Sequence, residues 1–246
     1  MKRLAFFGML PALVVVACTD GTTGTMTFSL TARGGAAAVT TSGDSTVIML
    51  GNDSVIVRSV ELVLREIELK RADVAACDAV EGNGDCQEFE TGPVLLSLPL
   101  GSAAIAQIVS VAAPAGTYDK FQFEIHKPNS GDDAAFLLAH PDFAGVSIRV
   151  TGTYSQAGTR SDFTFTSDVE QGEEAGLVPP VTVQEGGAVN ITLRVDVSGW
   201  FLNGPKTSLI DPASANKGQP NESVVANNIQ NSFDAFEDDD HDGLED

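Results

Sequence analysis

Apolar and polar residues alternate with a period of two along most of the chain, a pattern typical of strands that bury one face. In residues 26–31 the apolar side chains of Met26, Phe28 and Leu30 share one face, and residues 188–197 repeat this arrangement. Similar runs predict further strands at residues 94–98, 107–111, 120–127, 146–154 and 161–167. Many short strands separated by turn signals predict an all-β fold, an antiparallel β-sandwich.

Two local features add detail to this sandwich. Residues 51–53, Gly-Asn-Asp, separate the apolar runs 47–50 and 55–57 and predict a hairpin turn. The alternation that runs through Leu64 resumes one residue out of phase at Ile67, which predicts a β-bulge between them. The sequence has no Gly-rich strand-to-helix junction, which argues against a dinucleotide-binding or P-loop fold.

One helix is predicted near the C-terminus. Asn221 supplies a capping residue, and an apolar stripe follows at i, i+4, i+8 and i+11, formed by Val225, Ile229, Phe233 and Phe236. We expect the stripe to pack on the sandwich against Trp200 and Phe201; a groove on a partner is the alternative. The sandwich is therefore assigned to residues 24–201, and residues 202–246 to a connection, the helix and an acidic loop.

Residues 1–17 have the pattern of a secretory signal peptide. Lys2 and Arg3 form a short basic region, and the apolar stretch 4–16 is too short for a membrane span, which needs about 20 residues. The stretch ends in Val-Val-Ala followed by Cys18, which resembles the lipobox of bacterial lipoproteins.

The lipobox resemblance implies cleavage after Ala17, attachment of lipid to the Cys18 thiol and acylation of the new N-terminus. Because several acyl chains give stable anchoring, we expect the chain to be held on a membrane of the bacterial cell envelope, with residues 18–23 as its tether. Thr19 stands where an inner-membrane retention signal has Asp, which points to the outer membrane. An ordinary signal peptide followed by an incidental cysteine is the alternative.

Cys77 and Cys86 are the other two of the three cysteines. An oxidising compartment favours a disulfide between them, and the Gly and Asn of residues 78–85 suit a tight loop. We expect this bond to stabilise the fold by somewhat under about 3 kcal/mol. A two-cysteine metal site is the alternative, although no histidine or third cysteine lies nearby.

The charge of the chain limits its partners. It contains 14 Lys and Arg against 34 Asp and Glu, for a formal net charge of −20. Such a charge repels nucleic-acid phosphates, so no nucleic-acid partner is expected. Cations and cationic partners would be attracted, while repulsion between copies of the chain is the simpler interpretation of the charge.

The segment Pro-Ala-Gly-Thr-Tyr at residues 114–118 and the strand after it resemble a turn and strand of prealbumin-like bacterial sandwich domains. Together with residues 60–68 and 95–98, they are also similar to an uncharacterised family of bacterial lipoproteins. The similarity covers roughly residues 45–128. It implies a prealbumin-like or immunoglobulin-like β-sandwich in the cell envelope, and it implies no particular chemistry.

The sequence ends in a regularly spaced acidic segment. Asp238, Asp240, Asp242 and then Gly243 match the first six positions of an EF-hand calcium loop. Residues 238–246 also resemble the D-x-D-x-D-G-L-x-D pattern of thrombospondin type 3 and dockerin-like repeats. These resemblances imply a calcium site whose ligands are Asp238, Asp240, Asp242, Leu244 and Asp246.

This calcium loop departs from the EF-hand pattern, because the printed sequence ends before the twelfth position. We expect the terminal carboxylate of Asp246, water or another part of the protein to complete the shell, with weak affinity of about 10⁻⁴–10⁻³ M. Eight acids lie within residues 234–246, beyond a predicted helix end whose dipole disfavours anions. A cation should therefore order this end, and a solvated acidic tail is the alternative.

Candidate catalytic patterns are few. The three histidines, His126, His140 and His241, are scattered and lack the H-E-x-x-H spacing of zinc enzymes. No G-x-S-x-G nucleophile elbow is present. The acid pairs at 132–133 and 173–174 resemble a glycosidase pair only in composition, and their loop-like surroundings favour solvated acids.

Three hypotheses for the function remain at this point. The first is a non-enzymatic, lipid-anchored envelope protein with a binding or structural role, a calcium-ordered C-terminus and a possible protein or glycan partner. The second is a glycan-binding or adhesive module, which an exposed Trp200 would favour and a buried Trp200 would disfavour. The third is a carboxylate-dependent hydrolase, which needs two carboxylates facing each other across a cleft.

Overall fold

The computed structural model describes residues 23–32, 39–41, 44–72, 87–89, 92–101, 105–240 and 242–245. The structure is mostly β: 54% of the described residues lie in strands and 13% are helical, and the strands form two sheets. The prediction of an all-β sandwich with a short C-terminal helix is therefore confirmed.

The described strands are β1 (Thr23–Ala32), β2 (Val39–Thr41), β3 (Thr46–Leu50), β4 (Asp53–Arg71), β5 (Gln87–Phe89), β6 (Val94–Ser97), β7 (Ile105–Pro114), β8 (Gly116–Ile125), β9 (Ile148–Gln156), β10 (Thr159–Ser167), β11 (Gln171–Val183), β12 (Ala188–Val195) and β13 (Phe233–Glu237). The helices are α1 (Ala134–Ala139) and α2 (Glu222–Gln230), and single 3₁₀ turns occupy Pro141–Phe143, Val197–Gly199 and Pro212–Ala215.

The first sheet has the strand order β13-β12-β1-β7. Strand β1 pairs antiparallel with β7, while its other edge pairs parallel with β12 from Thr25 opposite Ala188 to Ala32 opposite Val195. All other pairings between described strands are antiparallel. The parallel pair is the one departure from the expected pattern, and it places β1 in the interior of its sheet.

The second sheet is organised around β4, the 19-residue strand. One edge of β4 pairs in turn with β3, β6 and β5, and the other edge pairs with β9 and then β8. Strand β11 extends the sheet beyond β8, and β10 extends it beyond β9. The last residues of β8 and the first residues of β11 are thereby brought close to the middle of β4.

The core lies between the two sheets and is built from the apolar faces of their strands. Phe28 of β1 stacks on Phe121 of β8, with ring centroids 5.2 Å apart. On the same strand Phe123 makes an edge contact with Phe233 of β13 at 5.4 Å. Aromatic pairs of this geometry add to the free energy of burial, so these contacts hold the sheets face to face.

Two local predictions are confirmed in detail. Strands β3 and β4 form a hairpin in which Leu50 pairs with Asp53 around residues 51–52. The predicted bulge lies in β4, where the pairing with β8 shifts between Arg65 and Glu68. Glu66 lies within this bulge and has a φ of 53°.

The C-terminal helix is shorter than predicted. It ends at Gln230, so Val225 and Ile229 lie on its buried face, whereas Phe233 and Phe236 belong to β13. Their i, i+3 spacing suits a helix better than the period of two of a strand, but pairing with β12 places both residues in a strand. The Asn221 side chain makes no capping hydrogen bond and donates to Ser214 Oγ instead.

This strand also changes the expected position of the acidic loop. Because β13 separates α2 from residue 238, the loop does not follow a helix end, and the argument from the helix dipole is wrong. The segment assigned to residues 202–246 contributes β13 to the sandwich itself.

Several predicted features lie outside the described residues. These are the signal peptide, the lipid-bearing Cys18, both Cys77 and Cys86, His241 and Asp246, and the lipid, the disulfide and the terminal ligand stay predictions. Neither described helix, of six and nine residues, is long and apolar enough to cross a membrane.

Candidate functional site

The acidic loop begins at Asp238, directly after β13, and this residue is fully buried. Its Oδ1 accepts the Asp242 N–H at 2.9 Å, and its Oδ2 accepts the Gly243 N–H at 3.1 Å and the Thr192 hydroxyl at 2.7 Å. The Asp238 carboxylate thus closes the turn of residues 238–243, and its hydrogen bond from Thr192 links that turn to β12.

The two other spaced aspartates complete this turn. Asp240 Oδ1 also accepts the Asp242 N–H, at 3.2 Å, and Asp242 Oδ1 accepts the Leu244 N–H at 2.7 Å. Gly243 has a φ of 77°, a conformation in which a side chain would be strained. One carboxylate oxygen from each of Asp238, Asp240 and Asp242 lies within 4.8 Å of the others.

A row of buried polar side chains lies beneath the loop. Ser29, Asn190 and Thr192 lie on the face of β1 and β12 opposite to the apolar residues of these strands, and all three are buried. Ser29 donates to the Asn190 amide oxygen at 3.0 Å, and the Asn190 amide nitrogen donates to the Asp238 carbonyl at 2.8 Å. The loop therefore lies on a polar, hydrogen-bonded surface of the first sheet.

Among the described residues, no cationic side chain offsets the charge of the loop. In the described part of the chain, no Lys, Arg or His lies within ion-pair distance of Asp238, Asp240 or Asp242. Three converging carboxylates repel one another, and the oxygens of alternate residues in a tight turn are the ligands that calcium prefers. Three of the predicted ligands, Asp238, Asp240 and Asp242, are thus brought together, while Leu244 as a ligand stays a prediction.

A second group of ionisable residues lies where β8 ends and β11 begins. His126 is fully buried, and its Nε2 lies 2.8 Å from Asp133 Oδ2. Its Nδ1 lies 3.8 Å from Glu124 Oε1 and 3.7 Å from Glu170 Oε1, and it has no hydrogen-bond partner. No sequence motif predicts this group, although Glu124-Ile125-His126 has the spacing that puts two side chains on one face of a strand.

The carboxylates around His126 are held by other residues. Asp133 Oδ2 also accepts the Asn129 N–H at 2.8 Å. Burial raises the pKa of the Asp133 carboxyl, but the hydrogen bonds from Asn129 and His126 outweigh it, and the pKa lies below its usual range. Arg65 donates to both oxygens of Glu124, at 2.8 and 3.1 Å.

The acid pairs at residues 132–133 and 173–174 do not form the facing carboxylates that a hydrolase needs, because the two acids of each pair have different surroundings. Asp133 is buried on His126, which corrects the expectation of a solvated acid, while Asp132 is exposed. Glu173 is half-buried, and Glu174 is exposed and pairs with Lys120 at 2.8 Å. The two members of each pair thus have different surroundings.

The aromatic residues that could bind a glycan are buried. Trp200 is 1% exposed and donates from Nε1 to Ser232 Oγ, and Tyr118 and Tyr154 are also buried. A depression of about 500 Å³ lies beside β4 and β6, lined by Asp44, Arg58, Ser59, Val60, Glu61, Ser97, Leu98, Pro99, Leu100 and Gly101, none of them aromatic. These positions weigh against a glycan-binding site built on Trp200.

Comparison with family models, with curated proteins and with solved structures gives no match to this chain in any of the three.

Proposed function

We propose that this chain is a non-enzymatic, lipid-anchored protein of the bacterial cell envelope whose C-terminal loop is ordered by calcium. Lipid on Cys18 would hold it on the outer membrane, and the sandwich would serve a binding or structural role toward a protein or glycan partner. The strong negative charge disfavours a nucleic-acid partner.

The observation that carries the proposal is the convergence of Asp238, Asp240 and Asp242 on a buried polar surface. Asp238 is buried and hydrogen-bonded beside two other carboxylates, and the mutual repulsion of these charges costs free energy unless a cation offsets it. Calcium supplies that charge and accepts oxygen ligands in flexible numbers. Since calcium is abundant outside the cell, the loop would be ordered after export.

Calcium titration of the purified full-length chain tests the loop. We expect saturable binding by calorimetry and a rise in melting temperature at millimolar calcium. Asp240→Asn combined with Asp242→Asn keeps the oxygens that accept backbone N–H groups but removes two charges, and should weaken binding at least tenfold. Glu245→Gln, which removes an exposed acid of the same segment, is the matched control. No heat and no melting shift at millimolar calcium would contradict calcium binding by the loop.

Fractionation of cells tests the anchor separately. Cys18→Ser removes the thiol that takes the lipid, so the variant should leave the membrane fraction or remain unprocessed. Cys77→Ser removes a thiol of the predicted disulfide and should leave membrane association unchanged. A Cys18→Ser chain that is processed and still sediments with membranes would contradict lipid anchoring.

A further inference from the structure

We propose that His126, Glu124 and Glu170 bind one divalent transition-metal ion of the zinc class, through His126 Nδ1 and one carboxylate oxygen from each glutamate. The site lies where β8 leaves the second sheet and β11 enters it. Glu124 is the penultimate residue of β8 and Glu170 immediately precedes β11. This site is separate from the all-oxygen acidic loop.

The hydrogen bond to Asp133 sets the state of the imidazole. Because Asp133 Oδ2 already accepts the Asn129 N–H, it acts as an acceptor toward His126 Nε2 as well. In the neutral ring the proton then lies on Nε2, and Nδ1 carries a lone pair. A histidine that ligates a metal is oriented in the same way by a carboxylate on its other nitrogen.

His126 Nδ1 is a buried polar atom without a hydrogen-bond partner, and such atoms are rare in folded proteins. The ring is aimed at Glu124 Oε1 and Glu170 Oε1, at distances too long for hydrogen bonds. A lone pair facing two carboxylate oxygens is repulsive unless a positive charge lies between them. A metal ion in that position would satisfy all three atoms.

The distances fit such an ion. Metal bonds of about 2.0–2.2 Å at a tetrahedral angle separate ligand atoms by roughly 3.3–3.6 Å. The observed separations from Nδ1 are 3.7 and 3.8 Å, and the three ligand atoms lie within 4.8 Å of one another. Small rotations of the carboxylates close the difference. Glu170 has 41% of its side chain exposed, which leaves the fourth position open to water.

The surrounding charges also suit a divalent cation. Arg65 holds Glu124 through two hydrogen bonds, and Lys127 Nζ lies 3.5 Å from Glu170 Oε2. Glu124, Glu170 and Asp133 carry three negative charges against these two positive ones, so the group is net negative. An imidazole nitrogen among the ligands favours zinc or a similar metal over calcium or magnesium, which take oxygen ligands.

Zinc binding by the full-length chain, stripped of metal with a chelator, tests the proposal. Glu170→Gln removes one ligand charge at the exposed rim and should weaken zinc binding at least tenfold, with the fold checked by its melting temperature. Glu174→Gln, four residues further along in β11 and likewise paired with a lysine, is the matched control. Asp240→Asn should leave this affinity unchanged and so separates the site from the acidic loop.

Nitrogen NMR of the three histidines gives a second readout. Zinc should shift the His126 Nδ1 signal while Nε2 stays protonated, and Asp133→Asn should weaken zinc binding about 10–100-fold although it removes no ligand. Three results would overturn the proposal: no zinc binding, an unchanged affinity in Glu170→Gln, or a His126 ring protonated on both nitrogens in the presence of zinc.

Discussion

The Thr192 hydroxyl donates a 2.7 Å hydrogen bond to Asp238 Oδ2, linking the middle of β12 to the first residue of the acidic loop. Both residues are fully buried. A hydrogen bond to a buried charge is worth more than one between neutral groups, because the alternative is a desolvated, unpaired oxygen. The loop is therefore part of the folded sandwich at its first residue.

Thr192→Val tests this link, since valine keeps the shape and removes the hydroxyl. We expect the free energy of unfolding to fall by about 2 kcal/mol, the usual value for a hydrogen bond to a charged group. Thr182→Val is the control, because Thr182 makes an exposed 3.2 Å contact with Thr117. Equal losses in the free energy of unfolding, measured by denaturant titration, would show that the buried hydrogen bond contributes no more than the exposed one.

Glu173→Gln should change the dependence of stability on pH. Burial raises the pKa of Glu173, and its Oε1 has no hydrogen-bond partner. Below the ordinary pKa the group is protonated in both states. As pH rises, the unfolded chain loses the proton first, so the folded state loses stability until pH passes the raised value.

Glutamine removes this penalty. The difference in melting temperature between Glu173→Gln and the unchanged chain should therefore be more favourable to the variant at pH 7 than at pH 4. Glu174→Gln controls for the change in net charge. A difference that stays constant from pH 4 to pH 7 would mean that Glu173 is hydrated in the folded protein.

Gly152→Ala should destabilise the second sheet strongly. A Cβ at this position in β9 would lie 2.1 Å from the Ile56 carbonyl oxygen and 2.9 Å from the Phe163 ring. Because the oxygen belongs to the backbone of β4, the sheet would have to shift, at a cost of about 3 kcal/mol or more. Gly172→Ala, where the Cβ would meet nothing within 4 Å, should change stability by at most about 0.5 kcal/mol in the same thermal melts.

Asn228→Ala should loosen helix α2. The Asn228 amide donates to the carbonyls of Trp200 and Leu202, at 3.0 and 2.8 Å, so its loss leaves two acceptors unpaired. We expect a loss of about 1–2 kcal/mol, together with faster amide exchange in α2. The neighbouring exposed Asn227, changed to alanine, is the control and should have little effect on either measurement.

Strands with a clean alternation were predictable from the sequence, and β11 was not. In β11 the residues Glu173, Glu174, Pro179 and Pro180 interrupt the apolar pattern, although Leu177, Val181 and Val183 are buried. The two prolines lie where the pairing with β8 is interrupted, between Gly176 and Val181. Proline is tolerated there because no ladder hydrogen bond is needed from its nitrogen.

The two candidate sites also differ in how far the sequence predicts them. The aspartates of the acidic loop are neighbours in sequence, so their spacing alone predicts that they converge. The His126 group depends on pairing between β8 and β11 and on the turn that returns Asp133 to His126, seven residues along the chain. No local pattern encodes those distances, and only the EIH spacing of residues 124–126 hints at them.

The position of β1 has a mechanical consequence. A lipid on Cys18 would pull on a strand that begins at Thr23 and is hydrogen-bonded along both edges, to β12 and to β7. Ladder hydrogen bonds run across the strands, so tension along β1 loads many of them in shear at once instead of opening them one by one. If the proposed lipid on Cys18 holds the chain, this double pairing of β1 would make the sandwich resist unfolding under tension.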